Sequence, residues 1–357
     1  MNWSTSYCSL IIAALVCVGP LTTTAEASKS DSTQTFGGMT LAYSRSGNDL
    51  PEGRRSYTLQ PSVNGALGVM QVDFGLRYRS RKLHVNLAVQ QGWFADANYT
   101  GQDFEYRHLQ QAWLQYDLTA DVSVRAGVMP SHIGYESINE RDNLIVSRLF
   151  CSDATPYYET GGSVLWKVSD KITVEGLILN GWQRIVATND EEALGSRVVW
   201  KPDSTITVNW STFYGNTSER LQPSSMRLYN NVWTEWMPYK DLTLVGIADF
   251  GRQMITGDSS ASMWCVAAIA AYRPHQQWRV ALRAEYFSDP HSIIVRAVDG
   301  DSFVASSISA NVDWLITMST RLRAEIRRMA SPESIFLYSS GLTPSEVFAT
   351  ISASTSF

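Results

Sequence analysis

Several absences narrow this 357-residue chain before any pattern is read from it. Cysteine is scarce, at four residues, which excludes a disulfide-rich scaffold. Basic excess is missing too: the formal net charge is -5, so nothing invites nucleic acid. After the N-terminus no apolar run approaches the roughly 18 to 20 residues that a membrane-spanning helix needs. HExxH, CxxC, GxGxxG and P-loop spacings are all absent, so neither a metal nor a nucleotide site is predicted and no cofactor is expected. The five histidines (His84, His108, His132, His275, His291) have no Ser or acid partner enforced by spacing. A barrel phospholipase, which needs such a pair on one strand face, is therefore disfavoured.

The N-terminus reads as a secretory leader over residues 1–27. Leu10 to Val18 form a short apolar core, Gly19-Pro20 follows, and Ala25-Glu26-Ala27 is a small-x-small cleavage site before Ser28. A basic n-region is lacking, and Val16 is a poor predecessor for a lipidated Cys17. Loss of Glu26 with the leader leaves a net charge of -4. Cys8 and Cys17 would leave with it, and Cys151 and Cys265 would remain. Those two could pair in an oxidising compartment, and spacing alone does not decide it.

What the chain does have is alternation. In Gln277 to Tyr286 the even positions Trp278, Val280, Leu282, Ala284 and Tyr286 are apolar. The odd positions Gln277, Arg279, Arg283 and Glu285 are polar or charged, apart from Ala281. Period two puts these sets on opposite faces of one strand. Aromatic rings at both ends of the apolar face match the interface belts of a strand crossing lipid. The same phase recurs in Met70 to Tyr78, Leu83 to Val89, Ile172 to Ile178, Ile206 to Tyr214, Ile308 to Ile316 and Leu322 to Ile326. A barrel hides its membrane signal in this alternation, consistent with 44% hydrophobic residues and a mean hydropathy of -0.14. The 12 Trp, 16 Tyr and 12 Phe suit aromatic girdles.

Short polar turns at Arg79-Ser80-Arg81, Leu118-Thr119-Ala120, Ser169-Asp170, Pro202-Asp203, Pro238-Tyr239-Lys240, Pro274-His275 and Met318-Ser319 alternate with longer connections at 45–64, 130–158 and 287–301. The predicted fold is all-β: a closed antiparallel transmembrane barrel over residues 28–357, with about 16 strands, give or take about two. Short turns face the periplasm and longer loops face outward. No blade motif supports a propeller. A transporter with a plug domain would need a longer chain. The final alternating strand, Val347 to Thr355, must close against the first near Phe36 to Tyr43, because a barrel has no free edge. Ending on Phe357, it resembles the recognition signal read by the barrel assembly machinery of the bacterial outer membrane, so outer-membrane lipid and that machinery are expected partners.

The third outer loop, 130–158, is the candidate for folding into the lumen. Over residues 109–182 the chain carries Gln111-Ala112-Trp113-Leu114-Gln115-Tyr116, Arg125-Ala126-Gly127, Ile133-Gly134-Tyr135-Glu136, Asn143, Ser147-Arg148, Thr160-Gly161 and Asn180-Gly181-Trp182. This stretch resembles the OmpL-like β-barrel porins, although Cys151 and the residues around it are not part of the pattern. The resemblance implies an outer-membrane barrel with a pore and no settled substrate. A weaker similarity is to phosphate-selective porins.

Two roles are open for the charges. Loop residues Glu136, Glu140, Asp142, Asp153 and Glu159, with Arg141 and Arg148, could face a wall of Arg279, Arg283, Arg321, Arg323 and Arg327. That opposition would set a transverse field across a wet constriction. Alternatively the loop acids are solvated and the arginines pair with Glu285 and Glu325. The expected function is passive diffusion of small hydrophilic solutes or ions through a water-filled channel, with no catalysis. The alternatives are a phosphate- or anion-selective pore and a non-conducting structural or adhesive barrel. A homotrimer is expected by analogy with general porins.

Overall fold

The computed structural model describes residues 31–50, 53–220, 222–254, 259–298, 302–339 and 341–357. The predicted leader, with Cys8 and Cys17, lies outside them. The first strands are β1 (Ser32–Ser46), β2 (Leu67–Arg79), β3 (Leu83–Gln91), β4 (Leu109–Asp117), β5 (Val122–Pro130) and β6 (Tyr158–Lys167). There follow β7 (Ile172–Leu179), β8 (Ala193–Trp200), β9 (Ile206–Asn216), β10 (Met226–Tyr239), β11 (Leu242–Met254) and β12 (Ser260–His275). The chain ends with β13 (Trp278–Asp289), β14 (Phe303–Leu315), β15 (Thr320–Ala330), a small hairpin of β16 (Phe336–Tyr338) and β17 (Gly341–Thr343), and β18 (Ser345–Ser356).

Sixteen of these strands, all but the β16–β17 hairpin, form one closed antiparallel barrel. Each strand pairs with its neighbour in sequence, and β18 closes against β1 with Gly38 opposite Ser356 and Ser46 opposite Phe348. Phe357 extends that seam: its N–H donates to the Gly37 carbonyl at 3.1 Å, and its ring lies 6.3 Å from that of Phe74. Closure satisfies every edge, which is what a strand structure inside lipid requires.

The alternation is laid out as the sequence predicts. On β13, Leu282 is 63% exposed on the outer face while Arg283 is 2% exposed on the inner one. Exposed aromatics gather near the two rims. Trp166, Trp200, Trp236, Tyr272, Trp278 and Trp314 lie towards the short-turn end, and Tyr43, Tyr214, Phe250, Trp264 and Tyr286 towards the long-loop end. Trp278 stacks with Trp314 across β13 and β14 at 6.1 Å between ring centroids.

One sector departs from apolar-out, polar-in. On β12 the inner face carries Ala261, Met263, Cys265, Ala267, Ile269 and Ala271, all buried, and its outer face is apolar as well. Together with Val245 and Ile247 of β11 and Phe287 of β13, these residues make an apolar patch inside the barrel. An apolar inner wall needs a cover, and a segment from the third long loop supplies it.

Candidate functional site

The segment 131–157 leaves the rim between β5 and β6 and packs inside the barrel, so that Ile145, Ser147 and Leu149 have no exposed surface and Phe150 is 3% exposed. Its base rests on a glycine pair. Gly127 on β5 faces Gly161 on β6, and Gly127 has φ +126°, a conformation that disfavours any side chain. A Cβ on Gly127 would sit 2.1 Å from the Ala112 carbonyl oxygen, and one on Gly161 would sit 2.0 Å from that of Ile178. Gly127→Val is therefore expected to destabilise the barrel by about 1–3 kcal/mol or more, measured as a lowered urea midpoint in detergent.

Three walls hold the segment. On the β13–β15 side, charged side chains bind its backbone. Arg323 donates to the Glu140 carbonyl at 3.0 Å, the Glu140 carboxylate at 2.5 Å and the Asn143 carbonyl at 3.0 Å. Arg283 donates to the Ser147 carbonyl at 2.6 Å, and Arg327 to the Arg148 carbonyl at 2.7 Å. Glu325 accepts from the Ser147 N–H and hydroxyl at 2.6 Å each, and Glu285 accepts the Phe150 N–H at 2.7 Å. On the β1–β2 side, Arg141 forms a bidentate pair with Asp73 at 2.5 and 2.7 Å, and Gln71 accepts the Glu140 N–H at 3.2 Å. On the β9–β10 side, His132 bridges Glu159 and the Thr212 carbonyl at 2.7 Å each, and Tyr135 donates to Glu235 at 2.7 Å.

Of the loop acids, Glu140 and Glu136 lie within ion-pair distance of the wall arginines, and Arg283 and Arg327 also pair with Glu285 and Glu325 of the wall itself. The side chains of Arg283, Arg323, Arg327, Glu285, Glu325 and Glu140 are fully buried, leaving no wet gap between them. Arg323 pairs with Glu140 and with Asp313 at 2.9 Å, and Arg327 pairs with Glu285 at 2.6 Å. Arg283 lies 3.4 Å from Glu325, 3.7 Å from Glu285 and 3.9 Å from Glu136. Removing charges from water is costly, and here opposite charges and backbone carbonyls offset that cost. These groups fasten the loop to the wall.

The other predicted residues take varied places. Arg279 binds Asp313 and the Asn143 carbonyl and stays 14% exposed. Arg321 is half-buried beside Arg323, and Asp142 is exposed. Arg148 lies over the Tyr157 ring at 3.9 Å and 3.7 Å from Asp153. Burial pushes the Asp153 carboxyl up to about 6, against the pull of Arg148 and the Tyr157 hydroxyl.

Sequence reasoning missed two groups. On the inner wall Glu175 bridges Arg125 at 2.5 Å and Arg197 at 2.6 Å, with both arginines partly exposed. Towards the long-loop rim a cavity of about 510 Å³ is lined by Arg184, Arg227 and Arg296, by one carboxylate, Asp153, and by Tyr57, Phe150, Trp182 and Phe303. Arg227 lies 4.7 Å above the Trp182 ring, donates to Gln253 and the Ile293 carbonyl, and has no ion pair among the described residues. A second cavity of about 340 Å³ lies against the segment itself, lined by Gln111, Asn139 and Asp142 among others. Among the described residues no cluster of His, Cys, Asp or Glu could hold a metal ion.

Comparison with known proteins agrees with this architecture. Residues 33–357 match the family model described as "putative beta-barrel porin-2, OmpL-like", far more of the chain than the stretch 109–182 that carries the visible resemblance. Among solved structures, the anion-selective porin from Comamonas acidovorans is similar at 10% identity and TM-score 0.61, over 92% of this chain and 100% of that one. The outer-membrane channel DcaP of Acinetobacter baumannii is similar at 11% identity and TM-score 0.60, over 93% and 99%. OmpT of Vibrio cholerae is similar at 9% identity and TM-score 0.59, over 92% and 99%. A comparison with curated proteins gives no match. The chain is a bacterial outer-membrane β-barrel and belongs to the OmpL-like porin-2 family.

Proposed function

We propose that the barrel is a passive diffusion channel for small hydrophilic solutes, with a bore set by the segment 131–157 and no catalytic chemistry. The observation that carries this reading is the stapled segment inside a closed 16-strand barrel, because a barrel of this size is wide enough for an aqueous channel unless something fills it. Polar cavities on the segment and at the long-loop rim support it. The solved relatives described as a porin and a channel support it as well. Liposome swelling with a graded series of neutral sugars tests it. The expected result is swelling that falls off steeply with sugar size; liposomes that swell no faster than protein-free ones would refute it.

A preference for anions is the second reading, favoured by Arg227 and its neighbours Arg184 and Arg296 around a cavity holding one carboxylate. Neutralising Arg227 as Arg227→Gln is expected to move the zero-current potential in a KCl gradient towards the cation side. An unchanged potential would dismiss the preference. One solved form of OmpT is described as a trimer. By analogy this barrel is proposed to form a homotrimer, which light scattering with detergent correction would check.

A further inference from the structure

We infer that Cys151 and Cys265 form a disulfide that ties the lumenal segment covalently to the barrel wall. They are the only two cysteines from residue 31 onward. One lies on the short helix Phe150–Ala154 of the segment and the other on the inner face of β12. Both are buried, at 2% and 0% exposure, in one apolar cluster.

Their approach is fixed by groups other than themselves. Glu285 on β13 holds the Phe150 N–H at 2.7 Å, directly beside Cys151. Cys265 stands opposite Phe287, two residues beyond Glu285 on the same strand. Both are free buried thiols that lie within interaction range of each other. A disulfide requires the two sulfurs to close to about 2 Å with their Cα atoms within about 7 Å.

The chemistry is thiol–disulfide exchange with a disulfide-bearing oxidant of the periplasm, the oxidising compartment that an outer-membrane chain crosses. One cysteine thiolate attacks the oxidant, forming a mixed disulfide and releasing one oxidant thiol. The second cysteine thiolate then attacks the first cysteine's sulfur, forming the protein disulfide and releasing the other oxidant thiol. Two electrons and two protons pass to the oxidant. Because both sulfurs end up buried, the exchange belongs to the chain before the segment has packed.

Wild-type protein tests this without any variant. Cells are quenched in acid, the chain is unfolded in denaturant with an alkylating agent, and peptides are mapped by mass with and without prior reduction. The expected result is a linked pair of peptides carrying residues 151 and 265, two hydrogens lighter than their sum and alkylated at both sites only after reduction. Two alkylated cysteines without reduction would overturn the inference, and so would a link between separate chains. The outcome is independent of whether the barrel conducts.

Discussion

Arg323→Met is expected to lower barrel stability by about 3–5 kcal/mol and to make the proposed channel larger and noisier. Arg323 is fully buried, and its guanidinium satisfies Glu140, Asp313 and two backbone carbonyls of the lumenal segment. Methionine fills much of the same volume but leaves Glu140 with only the Thr40 and Ser352 hydroxyls. Removing one partner of a buried pair costs more than the pair contributes, because the other charge is stranded. The magnitude is checked by equilibrium urea unfolding in detergent. Adding Glu140→Gln should recover part of the loss, since the stranded carboxylate is then neutral. A single variant within about 1 kcal/mol of wild type, with unchanged current, would mean that Arg323 is not a fastening group.

Replacing residues 132–156 with a short Gly-Ser turn is expected to raise single-channel conductance several-fold. Pro130 and Tyr158 pair directly across β5 and β6, so a tight turn can join them without disturbing the wall. The deletion takes away the cover of the apolar patch on β11–β13 and exposes Met263, Cys265, Ile269 and Phe287 to the lumen. It also frees Arg283, Arg323 and Arg327 from the carbonyls they bind. A wider but less stable barrel is the predicted result. Conductance equal to wild type would mean that the segment does not define the bore.

How much of this was legible in the sequence varies along the chain. β13, β14 and β15 could be read directly, because lipid outside and charge inside give each strand a strict period of two. The 16-strand count and the closure of β18 on β1 followed from that rhythm and from the short turns. On β12 the inner face is apolar too, so its alternation vanishes from the sequence although the strand is regular. The missing contrast was itself a signal: an apolar lumen wall implies something apolar to cover it, and Leu149-Phe150-Cys151 is that cover. Charge along the strands suggested that the wall arginines pair with Glu285 and Glu325, and of the loop acids only Glu140 and Glu136 reach those arginines. That the groups close on one another, and that the arginines bind backbone carbonyls, depends on the path of the loop, which no spacing encodes. Arg197, Arg227 and Arg184 were missed because each is the only basic residue in its stretch.

The barrel is proposed to be open but narrowed, and recording currents from the purified protein in planar lipid bilayers is the sharpest test of that. Discrete conductance steps are expected on insertion, and larger steps when the segment is shortened. A correctly folded barrel that inserts and stays silent in both forms would contradict that proposal.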